Sequence, residues 1–330
     1  RHLRLTPFAL SVDRETSHEI AACGSMNTAA LLCSYRADSV LAWESGHPIT
    51  YGHFLSDVEA LADLLPEKAT VINLADDRYR FLVGFAAALV RGQTTLLPPS
   101  RAPGALAQIA REYGASYCLV DGTEQVEQLP SYRIPIGTGS PTYTAKVPQI
   151  PLGHPALVAF TSGSTGSPHP NSKTWGSLVA VARSTGARLG LKISDPMTVV
   201  ATVPHHHMYG LEASIMLPIQ HGMAFYVGRP LFPEDVRLAL AEVPSPRLLV
   251  TTPLHIRACV AARVRLPHVE CILSATAPLP LSLAEQAEAL FQTSVYEVYG
   301  FTEAGSVATR RTVAESAWHV LDGITLHQES

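Results

Sequence analysis

Charge is scarce in this chain. Only 16% of its 330 residues are Asp, Glu, Lys or Arg, and 24 basic residues stand against 28 acidic ones. A formal net charge of −4 provides no basic field to hold nucleic acid or an anionic membrane by general electrostatics, so neither partner is expected. Cysteine is rarer still: Cys23, Cys33, Cys118, Cys259 and Cys271 show no Cys-x-x-Cys or other ligand-like spacing. A chain with a large core needs no disulfide staples, so reduced thiols and a cytoplasmic location are expected. The longest apolar run, Phe81 to Val90 with Gly84 inside it, falls short of the ~20 residues that cross a bilayer, and no membrane span is expected. Residues 1–25 lack an apolar segment followed by a small-residue cleavage site, which excludes a signal peptide. Gly24-Ser25-Met26 resembles a cloning scar before an initiator Met26, so 1–25 are read as a tag or disordered extension, with a natural extension as the alternative.

Apolar residues are plentiful, at 47%. Because single cores stop growing near roughly 250–300 residues, two lobes are expected. From Thr50 onward helical and strand periods alternate. Phe54, Val58, Leu61 and Leu65 mark an amphipathic helix ending at Pro66. A strand at 71–74, a helix at 79–91, a strand at 94–97, a helix at 106–113 and a strand at 117–120 follow. Residues 121–155, rich in Pro, Gly, Ser and Thr, read as a boundary with some short strands. Further strands are predicted at 156–160, 198–203, 224–227, 248–251, 271–274 and 295–298, with helices between them. Strands that alternate with helices of this length predict an α/β fold of two packed subdomains, with mainly parallel sheets flanked by helices. The expected domains are 26–155, 156–303 and, at 304–330, the start of a third, β-rich subdomain.

The most informative segment is Thr161-Ser162-Gly163-Ser164-Thr165-Gly166-Ser167-Pro168, directly after a buried-strand pattern. Its glycines open backbone angles closed to other residues, and its hydroxyls lie beside free backbone N–H groups, a chemistry suited to a polyphosphate. A Ser/Gly-rich surface turn is the plain alternative. It is not a P-loop, since Lys173-Thr174 follows Ser172 and Ser167 stands where the first glycine belongs. Nor is it a nucleophile elbow, because Ser164 falls at the wrong step of Gly-x-Ser-x-Gly. His205, His206 and His207 invite a metal reading, but consecutive residues of an extended strand point to opposite faces and no cysteine or acid stands at ligand spacing.

This loop resembles the signature of the adenylate-forming superfamily, which contains acyl- and aryl-CoA synthetases, nonribosomal-peptide adenylation domains and firefly luciferase. Other elements recur in the same order. Thr50-Tyr51 resembles the early "TY" motif, and Leu89-Val90-Arg91-Gly92 with Leu97-Pro98 resembles the "AG…P" turn. Pro204 to Gly210 is similar to P-x-x-H-x-x-G. Ala275-Thr276-Ala277-Pro278-Leu279, after Ser274, loosely resembles "GGAPL", and Tyr299-Gly300-Phe301-Thr302-Glu303 resembles "YGxTE". The resemblance covers about residues 50–303.

It implies an enzyme, an acid–thiol ligase in which ATP activates a small carboxylic acid as acyl-adenylate and a thiol then takes the acyl group. The thiol is that of coenzyme A or of phosphopantetheine on an acyl carrier protein. Thr161, Ser162, Gly163, Ser164, Thr165 and Gly166 are implied to grip the β- and γ-phosphates. Ala275, Thr276, Ala277 and Pro278 are implied to lie beside adenine, with Tyr299, Gly300 and Phe301 also on the nucleotide. Thr302 is implied to contact the α-phosphate, and Glu303 to hold Mg²⁺. His207 is implied to lie near the reacting carboxylate, a helix-capping histidine being the alternative, with Tyr209 and Gly210 shaping the acid pocket beside the 248–254 segment. The alanine and leucine content nearby favours an apolar or aryl acid.

The chain departs from the family in places. Where the phosphate loop usually continues Pro-Lys-Gly, the basic residue is delayed to Lys173, which either reaches a phosphate or is a solvated lysine starting the next helix. After Glu303 the family's Thr-Gly-Asp and its lid lysine are not found, so a truncated last subdomain is expected, one that binds nucleotide but adenylates poorly. A naturally short, non-catalytic nucleotide- or acyl-binding protein is the competing reading.

Overall fold

The computed structural model describes residues 2–3, 10–14, 27–34, 36–114, 117–122, 126, 129–137, 146–162, 168–194 and 196–328. The chain divides into two compact units, 27–178 and 179–330, the latter with 1–26.

The first unit is built on a six-stranded sheet. Its strand order is Pro168–Thr174, Pro155–Ser162, Thr94–Leu97, Thr70–Asn73, Cys118–Val120 and Ser131–Arg133. Every pairing is parallel except the outermost, between Pro155–Ser162 and Pro168–Thr174. The stretches predicted at 71–74, 94–97, 117–120 and 156–160 become the four inner strands to within about two residues; the two outer strands lie at no predicted position. Helix Tyr51–Leu64 starts at Thr50, whose hydroxyl accepts from His53 N, and buries Phe54, Leu55, Val58 and Leu61. Helix Arg78–Val90 starts at Asp77, which accepts from Arg80 N at 2.8 Å, and is buried along nearly its whole length. That burial accounts for the apolar run at 81–90. Gly84 lets this helix approach the sheet: a Cβ there would lie 2.9 Å from Asn73 Nδ2, which donates to Phe81 O at 3.1 Å.

In the second unit, strands Ala224–Tyr226, Thr198–Ala201, Arg247–Thr251, Cys271–Ser274 and Ser294–Phe301 lie side by side in that order, all parallel. Gly305–Arg311 then pairs antiparallel with Ser294–Phe301, and Trp318–Val320 antiparallel with Gly305–Arg311. Two short strands, His2–Leu3 and Leu10–Arg14, pair with Trp318–Val320 and Ile324–Gln328. The division at 178/179 differs from the boundary expected at 155/156. The hairpin formed by Pro155–Ser162 and Pro168–Thr174 is hydrogen-bonded to Thr94–Leu97 and so stays with the first sheet. Likewise Gly305–Arg311 pairs with Ser294–Phe301, and 304–328 falls within the second unit.

No helix among the described residues is long and apolar enough to cross a membrane. Cys118, Cys259 and Cys271 are buried, and burial pushes their thiols up to about 12, 11 and 12, which leaves little reactive thiolate at neutral pH.

Candidate functional site

Because the central strands of the second unit are parallel, the loops that follow them leave the sheet at one edge, where ligands of open α/β sheets bind. The sequence motifs converge there. The segment 204–210 follows Thr198–Ala201, the segment 275–279 follows Cys271–Ser274, and Tyr299 to Glu303 closes Ser294–Phe301.

His205 to His207 form a turn and not the extended strand on which the opposite-faces argument relied; their rings lie 5.7 and 4.6 Å apart in sequence order. His207 occupies the N-cap position of the helix Met208–Leu211, yet its side chain makes no capping bond. Its backbone carbonyl accepts from Leu211 N at 2.8 Å, which leaves the imidazole for other work. Tyr209 reaches across to the sheet, its hydroxyl donating to Leu273 O at 2.8 Å, so its ring is a fixed wall. Gly210 is required by space: a Cβ would stand 1.9 Å from Pro204 O. A π-helical turn, Glu212–Met216, follows, a feature that recurs at functional sites.

Sequence reasoning missed a hydroxyl–imidazole cluster beside these residues. Thr202 and Thr251 hydroxyls lie 2.9 Å apart, and His255 Nδ1 lies 2.9 Å from Thr252 Oγ1 and 3.3 Å from Thr202 Oγ1. Thr252 also caps the helix Pro253–Ala261, with proline in its first turn. The Thr252-Pro253 step was the available signal for that cap. His255 itself lies in the first turn of that helix and had no motif to mark it.

In the loop after the strand Cys271–Ser274, Ser274 and Ala275 are buried while Thr276, Ala277 and Pro278 are exposed. Thr276 adopts φ +77°, where the family motif carries glycine. A β-branched residue in the left-handed region stores of order 1–3 kcal/mol, a strain found mostly at ligand sites. The loop is held by Glu297, which is buried. Its carboxylate accepts from Leu279 N (2.8 Å), Arg310 Nε (2.8 Å) and Thr312 Oγ1 (3.0 Å).

Tyr299 lies 6.3 Å from Phe301 and 5.7 Å from Trp318, over a cluster of Ala304, Val307 and Ala308. A Cβ on Gly300 would stand 2.5 Å from Gly305 O. Thr302 and Glu303 form the turn between the two strands, with Glu303 exposed. A solvent-facing carboxylate beside a hydroxyl is a hard oxygen donor set, which fits Mg²⁺.

In the first unit, Thr161 and Ser162 end the strand Pro155–Ser162. Gly163, Ser164, Thr165 and Gly166 lie outside the described residues. Lys173 is buried within the strand Pro168–Thr174, opposite Leu157, and does not start the next helix. It lies five positions from Pro168 at the loop end of the hairpin, roughly 17 Å of strand, more than a lysine side chain spans.

Burial lowers the pKa of His207 and His255, and the Arg229 guanidinium lowers both further. Burial is also the main cause at His221, with a smaller contribution from Arg183. A depressed histidine is protonated more readily in the unfolded chain, so its contribution to stability is complete above the ordinary value of about 6.5 and is lost as pH falls below it. The melting temperature is therefore expected to be level from pH 7 to 8 and to fall from pH 6.5 to 5. A level or rising value across that lower range in a thermal scan would contradict the neutral, packed imidazoles.

Parallel strands whose trailing loops carry these side chains to one edge define an α/β ligand-binding unit. Residues 30–324 match the AMP-binding enzyme family, and the chain belongs to it. It is 32% identical over 151 residues to a 4-coumarate–CoA ligase of Rhodobacter capsulatus, a match spanning 46% of this chain and 38% of that protein. It is 21% identical over 297 residues to a 4-chlorobenzoate–CoA ligase of an Arthrobacter species, spanning 81% of this chain and 55% of that protein. Among solved structures, o-succinylbenzoate CoA synthetase (MenE) from Bacillus subtilis in complex with ATP and magnesium ion superposes with TM-score 0.71 at 18% identity, covering 83% of this chain and 59% of that one. Apo MatB from Rhodopseudomonas palustris gives 0.73 at 14%, covering 85% and 60%. At such identities the likeness concerns the fold. The chain thus spans between about two fifths and three fifths of the relatives it matches.

Proposed function

We propose that this chain takes part in ATP-dependent activation of an apolar or aryl carboxylic acid as its acyl-adenylate, followed by acyl transfer to a thiol of coenzyme A or of phosphopantetheine on a carrier protein. The observation that carries this reading is the convergence of three motif segments, 204–210, 275–279 and 299–303, on the carboxyl edge of one parallel sheet, inside the region matched by the AMP-binding family. The aromatic acids named in the two curated relatives support the aryl class.

A carboxylate oxygen of the acid attacks the α-phosphorus and the bond to pyrophosphate breaks; the thiolate then attacks the acyl carbon and AMP leaves. Stabilising the charge that collects on the phosphate oxygens is the main catalytic requirement. Mg²⁺, when bound, neutralises part of that charge. Glu303 is the residue that holds it, and Thr302 donates to the α-phosphate. Hydroxyls and N–H groups of Thr161 to Gly166 bind the β- and γ-phosphates. The 275–278 loop, tethered through Leu279 to Glu297, lies beside the base. Neutral His207 donates its ring N–H to the acid carboxylate, and Tyr209 with Gly210 bounds the acid. Lys173, buried in its strand, is a structural residue of the hairpin in this reading.

Trapping of activated acids as hydroxamates, over a panel of aliphatic and aromatic acids with ATP and Mg²⁺, tests the acid half. Whatever product forms is expected to be greatest with aryl or apolar acids; a preference for charged amino acids would refute the substrate class.

A further inference from the structure

We propose that Glu212 is a positioning residue that holds the Thr302–Glu303 turn in its nucleotide-binding geometry by anchoring Ser306. The inference rests on the role given above to Thr302 and Glu303.

Glu212 is 5% exposed, and an acidic side chain is seldom placed so deep unless it holds something. Its Oε2 accepts two hydrogen bonds from one residue, from Ser306 N at 2.8 Å and from Ser306 Oγ at 2.6 Å. Bonds to an ionised acceptor are stronger than neutral ones, and two from the same residue fix its orientation as well as its position. Ser306 is buried too, and lies three positions beyond Glu303.

The turn it anchors has little other freedom. Ser306 pairs with Gly300 and Gly305 with Phe301 across the hairpin, the register shifting between Tyr299 and Gly300. Gly305 takes φ +71°, and Ala304 N donates to Phe301 O at 3.1 Å. Residues 302–304 are therefore clamped between that pair and the Glu212 anchor.

On its other side Glu212 opens the π-helical turn five residues after His207. A π-turn shifts the side chains of a helix out of their regular rotation, which is how an acid here is aimed at the strand Gly305–Arg311. Ser214 Oγ donates to Gly210 O at 2.6 Å within the same turn and fixes it to the His207 segment. One buried carboxylate thus sets the acid-side segment and the metal-side turn in register.

Calorimetric titration with ATP, once with Mg²⁺ and once with EDTA, separates the possibilities. Glu303→Gln is the control for the underlying reading: if it binds Mg·ATP like the unaltered protein, the metal role of the turn is wrong. With that control weakened, Glu212→Ala is expected to bind Mg·ATP about tenfold less tightly, since small misplacements of a binding group have effects of this size or larger. The loss measured in EDTA should be at least about threefold smaller, because Glu303 acts only through the metal. Glu212→Gln keeps an acceptor oxygen and should recover most of the affinity. Ser306→Ala removes only the hydroxyl bond, and is expected to fold and to lose about threefold, the worth of one charged hydrogen bond partly compensated by the N–H that remains. It decides the matter if Glu212→Ala does not fold. Unchanged Mg·ATP affinity in Ser306→Ala, or equal losses with and without metal in either variant, would overturn the proposal.

Discussion

Glu303→Gln is expected to lower affinity for Mg·ATP by about tenfold or more, while affinity for ATP in EDTA and the melting temperature stay where they were. The substitution keeps size and shape and removes one negative charge from an exposed turn, so no core packing is disturbed. A divalent cation held by the Glu303 carboxylate would depend on that charge, and about 1.4 kcal/mol of lost interaction is already a tenfold change. Paired titrations in magnesium and in EDTA read the effect. Equal weakening in both would assign Glu303 to the nucleotide directly and not to a metal.

Gly210→Ala should act through the fold. An added Cβ would meet the Pro204 carbonyl oxygen at 1.9 Å and its carbon at 2.7 Å, both backbone atoms that cannot rotate away. The 204–210 turn must open to admit it, and overpacking of this kind is destabilising by about 3 kcal/mol or somewhat more. For a unit of this size that corresponds to a fall of roughly 6–12 °C in melting temperature, which calorimetry or circular dichroism would register. His207 heads the displaced helix and would lose its place, so acid activation should fall with stability. A melting temperature within about 1 °C of the unaltered protein would show that the turn yields freely.

These expectations depend on features that differ in how plainly the sequence announces them. Thr94–Leu97 and Cys271–Ser274 were readable to the residue, because short apolar runs bounded by breakers have few other uses in an alternating α/β chain. The strand Pro168–Thr174 was not readable: Pro168 and Pro170 look like turn residues, and only its place at the sheet edge makes them tolerable. Lys173 was misplaced for the same reason. The hairpin of Val40–Glu44 and His47–Thr50 turns on Ser45-Gly46, both at positive φ, a local signal that was present but passed over.

Within the site, the residues to which the resemblance assigns ligand roles stand in short motifs that the sequence displays directly. The groups that hold those motifs in place were not. Glu212 and Glu297 look in sequence like surface acids on a helix and a strand, and nothing local shows that each is buried against backbone N–H groups from a distant segment. Thr202, Thr251 and His255 meet only because neighbouring parallel strands end at one edge. Such positioning contacts are set by topology and not by spacing, which is why a motif search finds the ligand side of a site before its support.

In the function proposed above, the loops gathered at the carboxyl edge of the second sheet serve nucleotide binding. Calorimetric titration of the 330-residue chain with ATP in excess magnesium tests it most directly. One saturable site with a dissociation constant below about 1 mM, more than roughly −4 kcal/mol of binding, is the expected result. Absence of saturable heat at several times that concentration, from protein shown to be folded, would contradict the account.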